Sequence, residues 1–409
     1  MSAQSSGPRI LAIAYTCVPG AGSEPGVGWV WTRILGGIGE VVVVVRPIPG
    51  FPVDLQASLD AIPEGASIRV VEVDLPGWFR RMVDGGDGRA TRLQRAQYLL
   101  WQVVALRTAR RLQRRQPFDL IWHLTFANAW LGSFGHLVGP PFVFGPVGGG
   151  VNPPWRLVPG LGLRSAVFEL VRVALREVAA HLNPLARGSI RRATLILTQN
   201  EDTRRWLPAA QRARAVVFPN AVLEEIPPGR DRQPGPLTAL YVGRLLSMKG
   251  VHLAIRAIAE LPDWRLLVCG EGREREGLQR LTTQLGVSAR VEFLGWQDRD
   301  EVFRLMREET DVLIFPSLHD EAGMVVVEAI ASGLPVVCLD RGGPPSLGGH
   351  AVAAGGPGET IHGLAEAIRT SGNLPIDDRA VQDVPEARRR LRIVLADAGL
   401  FDDGAPLQP

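Results

Sequence analysis

The sequence is poor in several things at once. Lys249 is the only lysine in a chain whose Lys and Arg residues number 45. There are three cysteines, Cys17, Cys269 and Cys338, far apart and set in apolar runs. That pattern excludes a zinc site and a disulfide framework, and it points to a reducing cytosol. No apolar stretch approaches the roughly 20 residues needed to span a bilayer. The polar start "MSAQSSGPRI" lacks a signal-peptide pattern. There is no H-E-x-x-H, no Cys/His cluster and no G-x-x-x-x-G-K-[ST] loop, so no protein-bound metal is expected. A strong charge of either sign is also missing. The net charge of +3 over 409 residues suits an anionic ligand or a membrane surface better than nucleic acid.

What is present is an alternation of short apolar runs and longer amphipathic segments. The length suits two domains. In the first half the runs are 10–15, 41–45, 68–73, 120–124, 142–145 and 195–198, with helices expected at 26–37, 91–116 and 164–180. Runs apolar throughout read as strands buried on both faces, hence a parallel sheet. Residues 223–236 are rich in Pro, Gly and charge and read as a linker. The pattern then restarts, with strands at 239–243, 265–270, 291–295, 312–316 and 335–339. Helices are expected near 249–260, 274–285, 299–307, 323–332 and 359–370. The fold class is therefore α/β, two doubly wound Rossmann-like domains in tandem, facing each other across a cleft. Their bounds are 1–222 and 237–375, with a C-terminal helix at 379–396 packing back on the first.

Ligands in such sheets sit at the carboxyl ends of strands. Arg244 and Lys249 flank the turn after the first strand of the second half. Two cations beside a helix N-terminus make a diphosphate site. A solvated pair of surface charges is the competing reading. In "SLHDEAGMVVVEAIASG" (317–333) a strand ends at Pro316. Polar Asp320 and Glu321 follow, then Gly323, then a helix containing Glu328. A carboxylate among Val and Ala is costly unless hydrogen-bonded. It is either a satisfied structural group or an acceptor for a ligand diol. Asp298-Arg299-Asp300 spells a D-x-D, but Asp298 with Glu301 reads better as a capping box. Near the start, Gly22 lies in the glycine-rich "CVPGAGSEPGVGW" (17–29), where Pro25 breaks a dinucleotide fingerprint.

The second half resembles the retaining GT-B glycosyltransferases of family 4. It carries "VGRL…KG", then Gly270-Glu-Gly272, then "FLG", then an acid-x7-Glu motif followed by "EAIASGLPVV". The resemblance covers residues 238–345 and, more loosely, the first half. It implies that Arg244 and Lys249 hold the donor diphosphate and that Glu328 binds the nucleotide ribose. Gly323, Met324 and Val325 would offer backbone amides, with Gly270 nearby and Leu294 at the base. The first motif acid aligns with Asp320 rather than a glutamate, so Asp320 or Glu321 would meet the transferred sugar. His123, after the fourth strand, would contact that sugar, and Gly22 would reach the donor phosphate. The loop 142–155 would line the acceptor side. The implied activity is metal-independent transfer from a UDP- or GDP-sugar to a glycan, lipid-linked or small-molecule acceptor, with no further cofactor. A sugar-nucleotide epimerase on the same fold is the alternative enzyme. A binding protein without catalysis is the alternative outside enzymes. The arginine-rich segment 77–116 mixes basic and apolar residues. It suggests peripheral contact with the inner face of a membrane by a cytoplasmic protein.

Overall fold

The computed structural model describes residues 7–48, 53–77 and 89–401. The first domain holds strands β1 (Arg9–Ala14), β2 (Glu40–Val45), β3 (Ile68–Glu72), β4 (Leu120–His123), β5 (Phe142–Val147), β6 (Leu195–Thr198) and β7 (Ala215–Val217). All pair in parallel, in the order β3-β2-β1-β4-β5-β6-β7. The second holds β8 (Leu237–Val242), β9 (Trp264–Cys269), β10 (Val291–Gly295), β11 (Val312–Phe315), β12 (Val336–Leu339) and β13 (His350–Val352), also parallel, in the order β10-β9-β8-β11-β12-β13.

Strand β2 explains the architecture. It contains five consecutive valines, all buried. Val41, Val43 and Val45 enter one apolar cluster, and Val42 and Val44 enter another on the opposite face. Successive side chains point to opposite faces, so a strand without polar residues needs cover on both. Strand β8 repeats the device, with Ala239 and Tyr241 on one side and Leu240 on the other. In each sheet the order reverses beside the first strand. That reversal opens a crevice at the carboxyl ends of the strands.

The C-terminal helix Val384–Asp397 returns to the first domain. Its Val384, Ala387, Leu391 and Leu395 are buried in the same cluster as the helix Ser23–Gly36. Arg388 bonds to Glu64 at 2.8 Å. Two short edge strands, β7 and β13, have no counterpart among the expected runs. Part of the basic segment, 78–88, lies outside the described residues. The helix Arg89–Arg115 that follows turns Tyr98, Trp101, Ala105 and Ala109 inward against the sheet. The apolar side of its described part therefore belongs to the core rather than to a membrane surface.

Candidate active site

A cleft of about 640 Å³ joins the two domains. From the first come Gly22, Glu24 and Asn220; from the second come Arg244, Lys249, Asp320, Glu321, Gly323, Met324, Val325 and Glu328.

Lys249 owes its position to the glycine that follows it. Gly250 has φ +72°, and a Cβ there would sit 1.9 Å from the Pro316 carbonyl oxygen. Only glycine lets the turn after β8 pass this close to the end of β11. Lys249 then lies over the Phe315 ring, 5.8 Å from its centroid, and forms an ion pair with Asp320. Arg244 is exposed and has no side-chain partner among the described residues. Gly323, with φ +90°, caps the helix Met324–Ala331. The first-turn N–H groups of Met324 and Val325 have no carbonyl within the helix to bond. They carry the positive end of its dipole toward the cleft.

Glu328 sits in that helix. Its carboxylate is 3.2 Å from the Arg299 guanidinium. Burial pushes its pKa up, and Arg299 opposes the shift. Asp298 does cap the helix Arg299–Arg304, accepting from the Glu301 N–H at 2.8 Å. Glu301 turns its own carboxylate to Arg304 at 2.6 Å instead of back to the cap, so the box is half made.

The other sequence-derived candidates stand differently. Asp320 faces Lys249. Glu321 points the other way, into the first domain. There it accepts from Asn200 Nδ2 and Thr203 Oγ1, each at 3.0 Å, and from the N–H groups of Gly149 and Val151. It borders the cleft, but its oxygens are occupied by the domain contact. In the loop 142–155 the N–H groups of Gly149 and Val151 serve this contact, while Gly150, Asn152, Pro153, Pro154 and Trp155 line a neighbouring pocket of about 590 Å³. His123 is fully buried, with the Tyr98 hydroxyl 2.8 Å from Nε2 and the Ser133 hydroxyl 2.9 Å from Nδ1. Burial depresses its pKa to about 3. It is enclosed by its own domain and does not border the cleft. Gly270 and Leu294 lie one layer back. A Cβ at Gly270 would sit 1.9 Å from the Gly243 carbonyl oxygen, so this glycine lets the ends of β8 and β9 converge. Leu294 packs in one cluster with Val242, Met324 and Val325.

Three residues of the site carry no local signal in the sequence. Asn220 is buried on the cleft wall, and its Oδ1 has no partner among the described residues. An unpaired buried acceptor is costly unless a ligand or water meets it. Glu24 accepts from the Phe126 N–H, and burial raises its pKa. Arg299 reaches Glu328 from a neighbouring helix. Among the described residues no group of three or more His, Cys, Asp or Glu side chains could hold a metal ion.

Comparison with known proteins agrees with this layout. Residues 224–381 match the family of glycosyl transferases group 1. A lipopolysaccharide core biosynthesis glycosyltransferase of Rhizobium meliloti (strain 1021) is 43% identical over 105 residues, covering 26% of this chain and 30% of the relative. A 2-deoxystreptamine glucosyltransferase of Streptomyces kanamyceticus is 31% identical over 265 residues, covering 59% and 65%. The chain thus spans less than two thirds of these relatives' lengths. Among solved structures, a lipopolysaccharide outer core galactosyltransferase covers 93% of this chain and 95% of its own with TM-score 0.57 at 15% identity. The HepE protein of Anabaena, solved with UDP and glucose, covers 95% and 100% with TM-score 0.51 at 17% identity. The chain has the GT-B fold, and its second domain matches the glycosyl transferases group 1 family.

Proposed function

We propose that this protein moves a sugar from a nucleoside-diphosphate sugar to a hydroxyl acceptor, with retention at the anomeric carbon and without a protein-bound metal. One observation carries the reading: two cations, first-turn helix amides and a largely buried carboxylate converge on one cleft between two domains.

In this reading the bond between the anomeric carbon and the diphosphate oxygen breaks, and its electron pair leaves with the diphosphate. Charge grows on that leaving group, so Arg244, Lys249 and the Met324–Ala331 helix N-terminus act more strongly in the transition state than before it. The acceptor oxygen attacks from the same face, and its proton passes to the leaving phosphate. The ion pairs are exchangeable parts of the device. Diphosphate oxygens compete with Asp320 for Lys249, which frees Asp320 to accept from a sugar hydroxyl. A ribose diol competes with Arg299 for Glu328. Asn220 offers an acceptor atom with no other partner among the described residues. The donor is a UDP- or GDP-sugar, a choice supported by the UDP and glucose held by HepE of Anabaena.

Thermal denaturation with UDP, GDP, ADP and dTDP tests the donor half directly. One nucleotide is expected to raise the transition, with stabilisation of about 2.7 kcal/mol at a hundredfold excess over Kd. Four unmoved curves would remove the reading. The bound nucleotide's sugars, offered with and without acceptor, then separate transfer from epimerisation.

A further inference from the structure

The helix Leu163–Leu182 is built inside out. Past its first turn, the charged side chains at its centre face the protein. Glu169 and Arg176 are buried, and Arg172 bonds to Glu169 at 2.8 Å. Arg176 donates to the Val151 carbonyl at 3.2 Å and to Asn152 at 2.8 Å. Glu169 lies 3.5 Å from His319, the neighbour of Asp320. The apolar side chains face out. Leu163 is 84% exposed, Phe168 58%, Leu175 55% and Leu182 75%. Val167, Val171 and Val178 are each about half exposed. Apolar residues at 163, 167, 171, 175, 178 and 182 follow the period of one helix face. Twenty residues thus carry one continuous stripe, roughly 30 Å long at 1.5 Å per residue. A contiguous exposed stripe of that length marks an interaction surface.

Charge says what covers it. From Trp155 to Arg192 the sequence contains two acids, Glu169 and Glu177. The first is buried, and the second is held by Arg176 and Trp206. Arg156, Arg164, Arg187, Arg191 and Arg192 are exposed. Beside the C-terminal end of the helix a cleft of about 710 Å³ is lined by His181, Arg187, Arg191 and Arg212. A second copy of the chain would bring the same arginines against these. A bilayer of anionic phospholipid offers acyl chains to the stripe and phosphates to the basic rim.

We infer that this face docks on an anionic phospholipid bilayer. The contact is independent of the donor chemistry, since it needs no nucleotide. Its consequence for the site is one of distance. The inner side of the same helix touches His319, so docking holds the Asp320 loop about one helix diameter, ~10 Å, from the lipid surface.

Sedimentation of the full chain with phosphatidylcholine vesicles, with and without phosphatidylglycerol, tests this. Binding is expected to the vesicles that contain phosphatidylglycerol. It should weaken at least tenfold in the double variant Phe168→Glu, Leu175→Glu, and about fivefold in Arg164→Ala, the effect of one basic side chain near an anionic surface. Leu175→Cys carrying a polarity-sensitive fluorophore gives a second readout that leaves the face apolar. Its emission should shift to the blue on adding these vesicles, and the native cysteines are buried. Absence of binding, unchanged binding in the double variant or an unshifted probe would each overturn the inference. So would a concentration-dependent dimer that the double variant dissolves, because a second copy would then own the face.

Discussion

The two walls of the cleft are built on opposite principles. On the second domain, charged groups are paired with each other in arrangements a ligand can open: Lys249 with Asp320, and Glu328 with Arg299. On the first domain, most polar groups are satisfied from within, Asn220 Oδ1 being the exception. Glu24 holds the Phe126 N–H, and behind the wall His123 is closed between two hydroxyls. One wall is a set of exchangeable contacts and the other a fixed frame. A charge pair at a cleft mouth loses little when a phosphate replaces one partner, whereas a buried hydrogen bond costs the full desolvation of the group it abandons. Glu321 belongs to the frame although it grows from the exchangeable side, because its carboxylate is fixed in the first domain.

The largest effect should come from the exchangeable wall. Lys249→Met is expected to lower kcat by about 10²–10³, the usual range for removing one donor aimed at a developing charge. Lys249→Arg should recover only part of it, since a guanidinium needs a planar fork where the ammonium is a point charge. Full recovery in steady-state turnover would erase the distinction in shape. Next is Glu328→Gln. Losing a charged acceptor should weaken nucleoside diphosphate binding by about 10- to 100-fold in calorimetry. Equal affinity would take Glu328 off the list of exchangeable groups. The smallest effect belongs to the frame and appears in stability. His123 has a folded pKa of about 3, below the ordinary 6.5. It therefore stays neutral in the fold. Its contribution is complete above pH 6.5 and is lost as pH falls toward 3, because the unfolded chain takes up the proton. In urea unfolding at pH 7, 6, 5 and 4, His123→Gln should flatten the acid slope by up to about 1.4 kcal/mol per pH unit. His252 and His319, depressed to about 4 and about 3, keep the remainder. An unaltered slope would mean that His123 already titrates in the fold.

The fold was legible wherever a strand is buried on both faces. A run such as Val41–Val45 has no polar residue to misread. Strands β7 and β13 were not, because three residues at a sheet edge leave two of them partly or fully exposed and show neither a run nor an alternation. Within the site, strand-end position located Arg244, Lys249, Asp320 and the helix cap at Gly323. It could not separate Asp320 from Glu321. Asn200 and Thr203, on the other domain, hold the Glu321 carboxylate away from Lys249, and no local pattern names them. The same limit explains His123, which looked like a ligand at a strand end until Tyr98 and Ser133 closed over it. It also explains Asn220 and Arg299, whose roles depend on neighbours that no local pattern names. The outward stripe of the helix Leu163–Leu182 was legible as amphipathic, but the sign of its orientation was not. Periodicity gives a face, and only packing says which way it looks.

The solitary lysine has a practical consequence. The chain offers amine-specific reagents one ε-amino group, and that group is held against Asp320 at the mouth of the cleft. A single isotope-labelled methyl pair introduced there by reductive methylation becomes a spectroscopic reporter with no background from other lysines, and it reads the electrostatic state of the cleft directly.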